Sequence, residues 1–231
     1  ASRAARHAAQ ATSLLHDLAE ADLAQIADAK GDTLPVEPAL ALGQARAENL
    51  LRYWLAGRGL PIPDTRRLDS LLKQAAEAAD DKAPQVTWPG AEARCWRGRL
   101  YAFEPMGPRP PLPTRWHGEP LALKGLGELR AVPAETGLRA DIFAAGVQIH
   151  WRSGGERIQP AGQRHHRELK DLLREAGVVP WMRDRVPILW FEGEVAAVAD
   201  LWIASKFAAQ PDSPAMHIEW DNASDAISPP A

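Results

Sequence analysis

"PMGPRPPLPTRWHGEP" (Pro105–Pro120) carries six prolines in sixteen residues. Proline has no amide hydrogen to donate and steers the residue before it away from the helical region, so neither a helix nor a central strand survives such a run. The stretch therefore reads as an extended linker, residues 105–120, and it divides the chain. Residues 1–104 are patterned as a helical domain with a short hairpin. Residues 121–221 are patterned as a small α/β domain, and 222–231, "DNASDAISPPA" without its first residue, as a loose tail. The fold class expected is α+β.

Upstream of the prolines the apolar residues recur at helical spacing. Ala4, Ala8, Ala11, Leu15 and Leu18 form one stripe, Leu23 and Ile26 extend it, and "AKGDTLP" ends the helix. A second helix is expected across "GQARAENLLRYWLAGRG", with Ala47, Leu50, Leu51, Trp54 and Leu55 on its buried side. Asp64 or Thr65 is placed to cap a third, whose stripe is Leu68, Leu71, Leu72, Ala75 and Ala79. "EARCWRGRLYAFEP" reads as two short strands around Gly98.

Downstream, "VQIHWR" alternates apolar Val147, Ile149 and Trp151 with polar Gln148, His150 and Arg152, the period of a half-buried strand. A helix is expected from about His166 to Ala176, ending at Gly177. "VPILWF" and "EVAAV" read as strands joined through Glu192-Gly193, with "LWIAS" and "MHIEW" as further strands.

The 231 residues carry a net charge of −3, so overall charge gives no reason to invoke a nucleic acid. Its distribution does. Arg152 to Arg185 holds eight Lys/Arg against five acids, a local +3 that leaves −6 for the remainder. The single Cys95 excludes an internal disulfide and a multi-cysteine zinc site. No apolar run reaches membrane-spanning length, and a cytoplasmic location is expected. The first residues, "ASRAARHAAQ", read as a helix already under way, the expectation for a piece of a longer protein.

Ser153-Gly154-Gly155 resembles the start of a phosphate loop. It leads into "ERIQP" rather than a helix, with no Lys-Ser/Thr pair, so a turn is the better reading. His165 and His166 are neighbours that diverge by about 100° on a helix and cannot easily share a metal. No catalytic constellation stands out. On the expected helix, Arg167, Lys170 and Arg174 fall within an arc of roughly 60°, with Glu168, Asp171 and Glu175 on the adjacent arc. Together with Arg157 and Arg164 before the helix and Arg183 and Arg185 after it, this makes a cationic ridge. The ridge suits a polyanion backbone; a solvated helix face accounts for the same residues. Trp181 is the tryptophan most readily placed at a surface, for base stacking or as a protein-docking anchor. Arg94, Arg97 and Arg99 around Gly98 are a second candidate phosphate contact, or an exposed hairpin tip.

Two long runs add a resemblance. "GGERIQPAGQRHHRELKDLLREAGVVPWMRDRVPILWFEGEVAAVADLWIA" resembles the C-terminal domain of the bacterial tRNA(Ile)-lysidine synthetase family, and "RAENLLRYWLAGRGLPIPD" with "LDSLLKQAAEAADDKAPQVTWPG" resembles that family's substrate-binding domain. The resemblance implies an ATP-dependent ligase that converts the wobble cytidine of a CAU-anticodon isoleucine tRNA to lysidine. Its substrates are ATP (with magnesium) and lysine, and its catalytic domain lies N-terminal to the part seen here. The chain would then be the tRNA-recognition half, with no catalytic residue, metal or cofactor of its own. Its partners would be tRNA(Ile) and the catalytic domain, and a homodimer of the parent stays open. The C-terminal module is expected to resemble a domain of the phenylalanyl-tRNA synthetase beta chain. The family's basic segment maps onto Arg152, Arg157, Arg164, Lys170, Arg183 and Arg185. His165, His166, Arg167, Arg174, Trp181, Arg94 and Arg97 complete the candidate tRNA-binding set. Arg174 stands where the family often has glutamine, and Val179 where it often has proline. The alternative left standing is a protein-interaction module with exposed tryptophan anchors and no RNA role.

Overall fold

A computed structural model describes residues 2–26, 32–78 and 83–221. Ala79 and the expected tail lie outside the described residues. The chain divides into two compact units between Met106 and Gly107.

In the first unit, α1 (Arg3–Ile26) leads through β1 (Leu34–Pro35) and the short α2 (Val36–Ala41) to α3 (Gln44–Gly57) and α4 (Thr65–Ala76). β2 (Gln85–Trp88), β3 (Ala91–Trp96) and β4 (Arg99–Phe103) follow. The apolar stripes of α3 and α4 are the core: Ala47, Leu50, Leu51, Trp54 and Leu55 meet Leu68, Leu71, Leu72 and Ala75, all buried. Each fully buried leucine contributes about 2 kcal/mol by removal from water. Asp64 starts α4 by accepting from the Arg67 amide at 2.9 Å. The strands form one antiparallel sheet in the order β1-β4-β3-β2. Arg97 (φ 47°) and Gly98 (φ 68°) both take left-handed backbone, the two-residue turn whose twist matches its strands.

The helix α1 corrects one expectation. Its stripe of Ala4, Ala8, Ala11, Leu15 and Leu18 is exposed, with Leu15 at 50% and Leu18 at 37%. The buried residues of α1 are Ala19 and Asp22, nearer its end. There the Asp22 carboxylate pairs with Arg46 of α3, and the Leu15 carbonyl accepts from Asn49 at 2.7 Å. Period alone marks a face without saying what covers it.

The second unit is built mainly of antiparallel sheet. β5 (Leu121–Leu123), β6 (Gly127–Ala134), β7 (Leu138–Arg139) and α5 (Asp141–Ala145) come first. β8 (Gln148–Trp151), β9 (Arg157–Ile158), β10 (Arg167–Glu168) and α6 (Leu169–Glu175) follow. A 3-10 turn (Pro180–Arg185) then leads to β11 (Pro187–Phe191), β12 (Glu194–Val198), β13 (Trp202–Ile203), a second 3-10 turn (Ser205–Phe207) and β14 (Ala215–Asp221). One sheet is ordered β13-β12-β11-β8, another β5-β6-β14-β7, and β9 pairs with β10 alone.

Two expectations change here. The helix expected from His166 begins only at Leu169, because Arg167 and Glu168 pair as a strand with Ile158 and Arg157. And the proline stretch from Gly107 onward belongs to the second unit rather than hanging free. Its carbonyls are taken by long donors: Trp151 Nε1 donates to Pro110 O at 2.9 Å and Arg185 to Gly107 O at 2.7 Å. Trp116, fully buried, exchanges backbone hydrogen bonds with Val147. A segment poor in amide donors is held by donors from elsewhere.

Candidate nucleic-acid interface

After β8 the chain turns at Gly154 (φ 103°) and Gly155 (φ 83°), conformations that favour glycine. Glu156 closes the turn on itself. One oxygen of its carboxylate accepts from Ser153 N at 2.5 Å, Gly154 N at 2.8 Å and Ser153 Oγ at 3.1 Å. The other lies 3.6 Å from Arg152 Nε. Burial works against the charged carboxylate, but the amides of Ser153, Glu156 and Gly154 and the Ser153 hydroxyl outweigh it and hold the carboxyl below its usual range. The Ser153 and Gly154 amides that an anion would need at a phosphate loop are turned onto the protein's own carboxylate.

The expected cationic ridge separates into three kinds of residue. Arg152, Arg183 and Arg185 are structural. Arg152 is 15% exposed and donates to Asp184 at 2.8 Å, Arg183 Nε donates to Val178 O at 2.8 Å, and Arg185 secures Gly107. Arg109 ties the same knot by donating to the carbonyls of Arg152 and Asp184, both at 3.1 Å. Trp181 is also interior, at 8% exposure, so the surface placement expected for it does not hold. It sits in the 3-10 turn between buried Val179 and Met182, where the Pro180 bend folds it inward.

The second kind is paired near the surface: Arg167 is half-buried, Lys170 and Arg174 exposed. Arg167 makes a two-point contact with Glu175, at 2.9 and 2.6 Å. Lys170 meets Glu168 at 3.0 Å, and Arg174 meets Asp171 at 3.2 Å. Donating to Glu175 and Glu168 makes Arg167 and Lys170 hold their protons more tightly than usual. The signs are thus matched across the surface rather than segregated, because Arg167 leaves the helix and reaches Glu175 from a strand. Pairs of this kind are individually weak, about 0–1 kcal/mol in general, and exchange readily for another anion.

The third kind is the segment between β9 and β10. Arg157, Arg164, His165 and His166 are all exposed. None makes an ion pair within 4 Å among the described residues. Gly162 (φ 81°) turns this segment, and Ser205, on the far side, anchors its start by donating to Pro160 O at 3.0 Å. Lys206, not singled out by the sequence, stands next to that anchor and pairs with Glu194 at 2.6 Å. Only tertiary pairing brings it there.

In the first unit Arg94 is half-buried, 2.9 Å from Glu92 and over the Phe103 ring at 5.8 Å. Arg97 is exposed at the hairpin tip and lies over Trp96 at 4.5 Å. Arg99 Nε donates to Thr33 Oγ1 at 2.5 Å. Of the three, Arg97 is the exposed one. Among the described residues no group of three or more His, Cys, Asp or Glu is arranged to hold a metal ion, and no helix is long and apolar enough to cross a membrane.

Comparison with known proteins adds a family to this geometry. Residues 34–101 match the family described as the TilS substrate binding domain, and residues 147–220 the TilS substrate C-terminal domain. The tRNA(Ile)-lysidine synthase of Alkalilimnicola ehrlichii is 41% identical over 213 residues, covering 90% of this chain and 47% of its own length. That of Methylococcus capsulatus is 37% identical over 225 residues (94% and 51%), and that of Coxiella burnetii 32% over 222 residues (94% and 49%). The chain spans about half the length of the curated relatives it matches. A solved TilS C-terminal domain covers 49% of this chain at 20% identity and a TM-score of 0.35, an overlap too low to assign a fold.

Proposed function

The chain belongs to the TilS family, matching its substrate-binding domain in one half and its C-terminal domain in the other, and from that premise we propose that it is the tRNA-holding part of a tRNA(Ile)-lysidine synthase. The observation that carries the proposal is the match of both halves, in order, to substrate domains of one family. The parent protein would adenylate the wobble cytidine of a CAU-anticodon isoleucine tRNA with ATP and magnesium. The amino group of lysine would then displace AMP. Those steps are assigned to sequence beyond this chain, in the cytoplasm where tRNA is modified. What the chain's own residues do is bind and orient.

The segment from Arg157 to His166 is the best-placed RNA contact. Arg157 and Arg164 are exposed and make no ion pair within 4 Å among the described residues, so meeting a phosphate breaks no close pair. Arg167, Lys170 and Arg174 are secondary contacts, reached by exchanging a carboxylate for a phosphate. Arg152, Arg183 and Arg185 act indirectly, by fixing the turns on either side. Arg97 is the corresponding contact of the first unit. The protein-docking alternative loses its anchors, since none of the nine tryptophans is exposed.

The test is a binding titration of tRNA against the chain over a range of salt. Arg157→Glu with Arg164→Glu is expected to lower affinity at least tenfold, and to reduce the slope of log K against log salt by about 1–2, one contact's worth per residue. Lys170→Glu should cost about threefold, because Glu168 already holds that amine. Equal affinity and slope in a folded Arg157→Glu, Arg164→Glu chain would refute the assignment.

A further inference from the structure

Beside the uncommitted basic segment lies a hollow of about 330 Å3. That is at the small end of ligand sites, which run from roughly 300 to 1,000 Å3. Its walls come from four places far apart in sequence: Arg157 of β9, His166 before β10, Trp190 and Glu194 on the β11–β12 hairpin, and Lys206 of the second 3-10 turn. Val195 adds an apolar wall. The hollow is thus rimmed by three basic side chains, floored partly by apolar ones, and carries one carboxylate.

Two features of the wall are unusual. The ladder between β11 and β12 slips at Leu189/Trp190, where Leu189 faces Ala197 but Trp190 faces Val195, leaving Ala196 as an extra residue. A bulge re-aims the side chains beside it, and such bulges gather next to functional sites. Here Trp190 and Val195 flank the slip and both line the hollow. The extra residue is also built in, since Ala196 O accepts from Ala204 N at 2.8 Å. Second, the Trp190 indole N–H is shielded from water and has no hydrogen-bond partner among the described residues. Trp88, Trp116, Trp151 and Trp220 each donate to a backbone carbonyl. A buried donor left unpaired is uncommon in a folded protein and sets the Trp190 side chain apart.

We propose that this hollow receives one unstacked nucleotide of the bound RNA. Its phosphate lies against Arg157 and His166. Its base enters the hollow against the Trp190 and Val195 side chains, and an exocyclic amine donates to Glu194. The chemistry fits each partner. A nucleotide brings an anion for the basic rim, a flat ring for the Trp190 and Val195 walls, and an exocyclic donor for Glu194. A bare phosphate would satisfy only the rim. Lys206 holds the Glu194 carboxylate in place at 2.6 Å. The inference rests on the tRNA reading above and assigns one RNA contact within it.

The experiment follows the tryptophan indole N–H resonances of the 15N-labelled chain, with Trp190 identified by the signal lost in Trp190→Phe. Cytidine 5′-monophosphate, inorganic phosphate and unfractionated tRNA are titrated separately. The Trp190 resonance should move with the nucleotide and with tRNA, and stay put with phosphate. Trp190→Phe, which keeps a ring of smaller face, should weaken tRNA binding about fivefold, within the worth of a base–aromatic contact, with the salt slope unchanged. If Trp190→Phe fails to fold, the Gly193 amide of the unaltered chain reports the same titrations. The proposal is overturned if tRNA binds with these resonances unmoved, or if phosphate alone reproduces the shift. A chain that binds no tRNA at low salt refutes the broader reading instead, and the nucleotide titration then decides the hollow by itself.

Discussion

Glu156 offers the sharpest test of how the basic segment is positioned. Its side chain is 5% exposed and accepts three hydrogen bonds on one oxygen while its second oxygen lies 3.6 Å from the Arg152 guanidinium. Glu156→Ala would strand the Ser153 and Gly154 amides and leave Arg152 with Asp184 as its carboxylate partner. Removing one member of a buried pair costs about 3–5 kcal/mol in general. The surviving Arg152–Asp184 pair argues for the lower end, about 3 kcal/mol, or roughly 10 °C in the melting temperature of a unit this size. Glu156→Gln keeps an acceptor but no charge, and should lose about half as much. The pH dependence follows from the depressed carboxyl. Its contribution is complete above the ordinary glutamate pKa and is lost as pH falls through the lower, folded value. Stability of the unaltered chain should therefore drop more steeply along its acid limb than that of Glu156→Gln. Urea denaturation at several pH values, with hydrogen exchange of β11 amides reporting the second unit, reads both quantities. A Glu156→Ala chain within about 0.5 kcal/mol of the parent, or coincident pH profiles for parent and Glu156→Gln, would refute the account.

Two further outcomes check the fold. Gly137 adopts φ 147°, and an added Cβ would sit 2.2 Å from the Met216 carbonyl oxygen on β14, so Gly137→Ala should cost more than about 2 kcal/mol by thermal denaturation; Gly154→Ala, where nothing lies within 4 Å, should cost only the milder backbone strain. Cys95 is buried and its thiol is pushed up to about 11 by desolvation, so a thiol reagent at mildly alkaline pH should leave the native chain unlabelled and label it fully in concentrated guanidinium; fast labelling of the native chain would contradict the burial.

The parts that could be read from sequence were those governed by neighbours along the chain. The α3 and α4 stripes, the Asp64 cap and the Glu192-Gly193 turn follow from local spacing and local turn chemistry, and they hold. What could not be read depends on partners far away. β6 gives no clear strand pattern because its pairing is with β14, from Glu128↔Asp221 to Ala134↔Ala215, and its own residues do not alternate cleanly. Arg167 looked helical until β9 claimed it, and that single displacement undoes the apparent segregation of charge on α6. Among the candidate contacts, residue type identified the right neighbourhood, while commitment did not show. Arg157 and Arg164 read the same in sequence as Arg152 and Arg183, yet the latter two are spent on Asp184 and Val178. Trp190, Glu194 and Lys206 carried no signal, since a bulge and a 3-10 turn bring them together.

The strapping of the proline segment bears on where the second unit can be cut out of its gene. Gly107 and Pro110 are gripped by Arg185 and Trp151, and Trp116 is bridged to Val147. A fragment begun at residue 121, where the composition becomes ordinary, would expose the slot that Trp116 fills and leave two side chains without acceptors. Begun at Gly107, it keeps its own edge. The prolines thus serve the second unit as a hem, and a domain swap between relatives should be joined upstream of them.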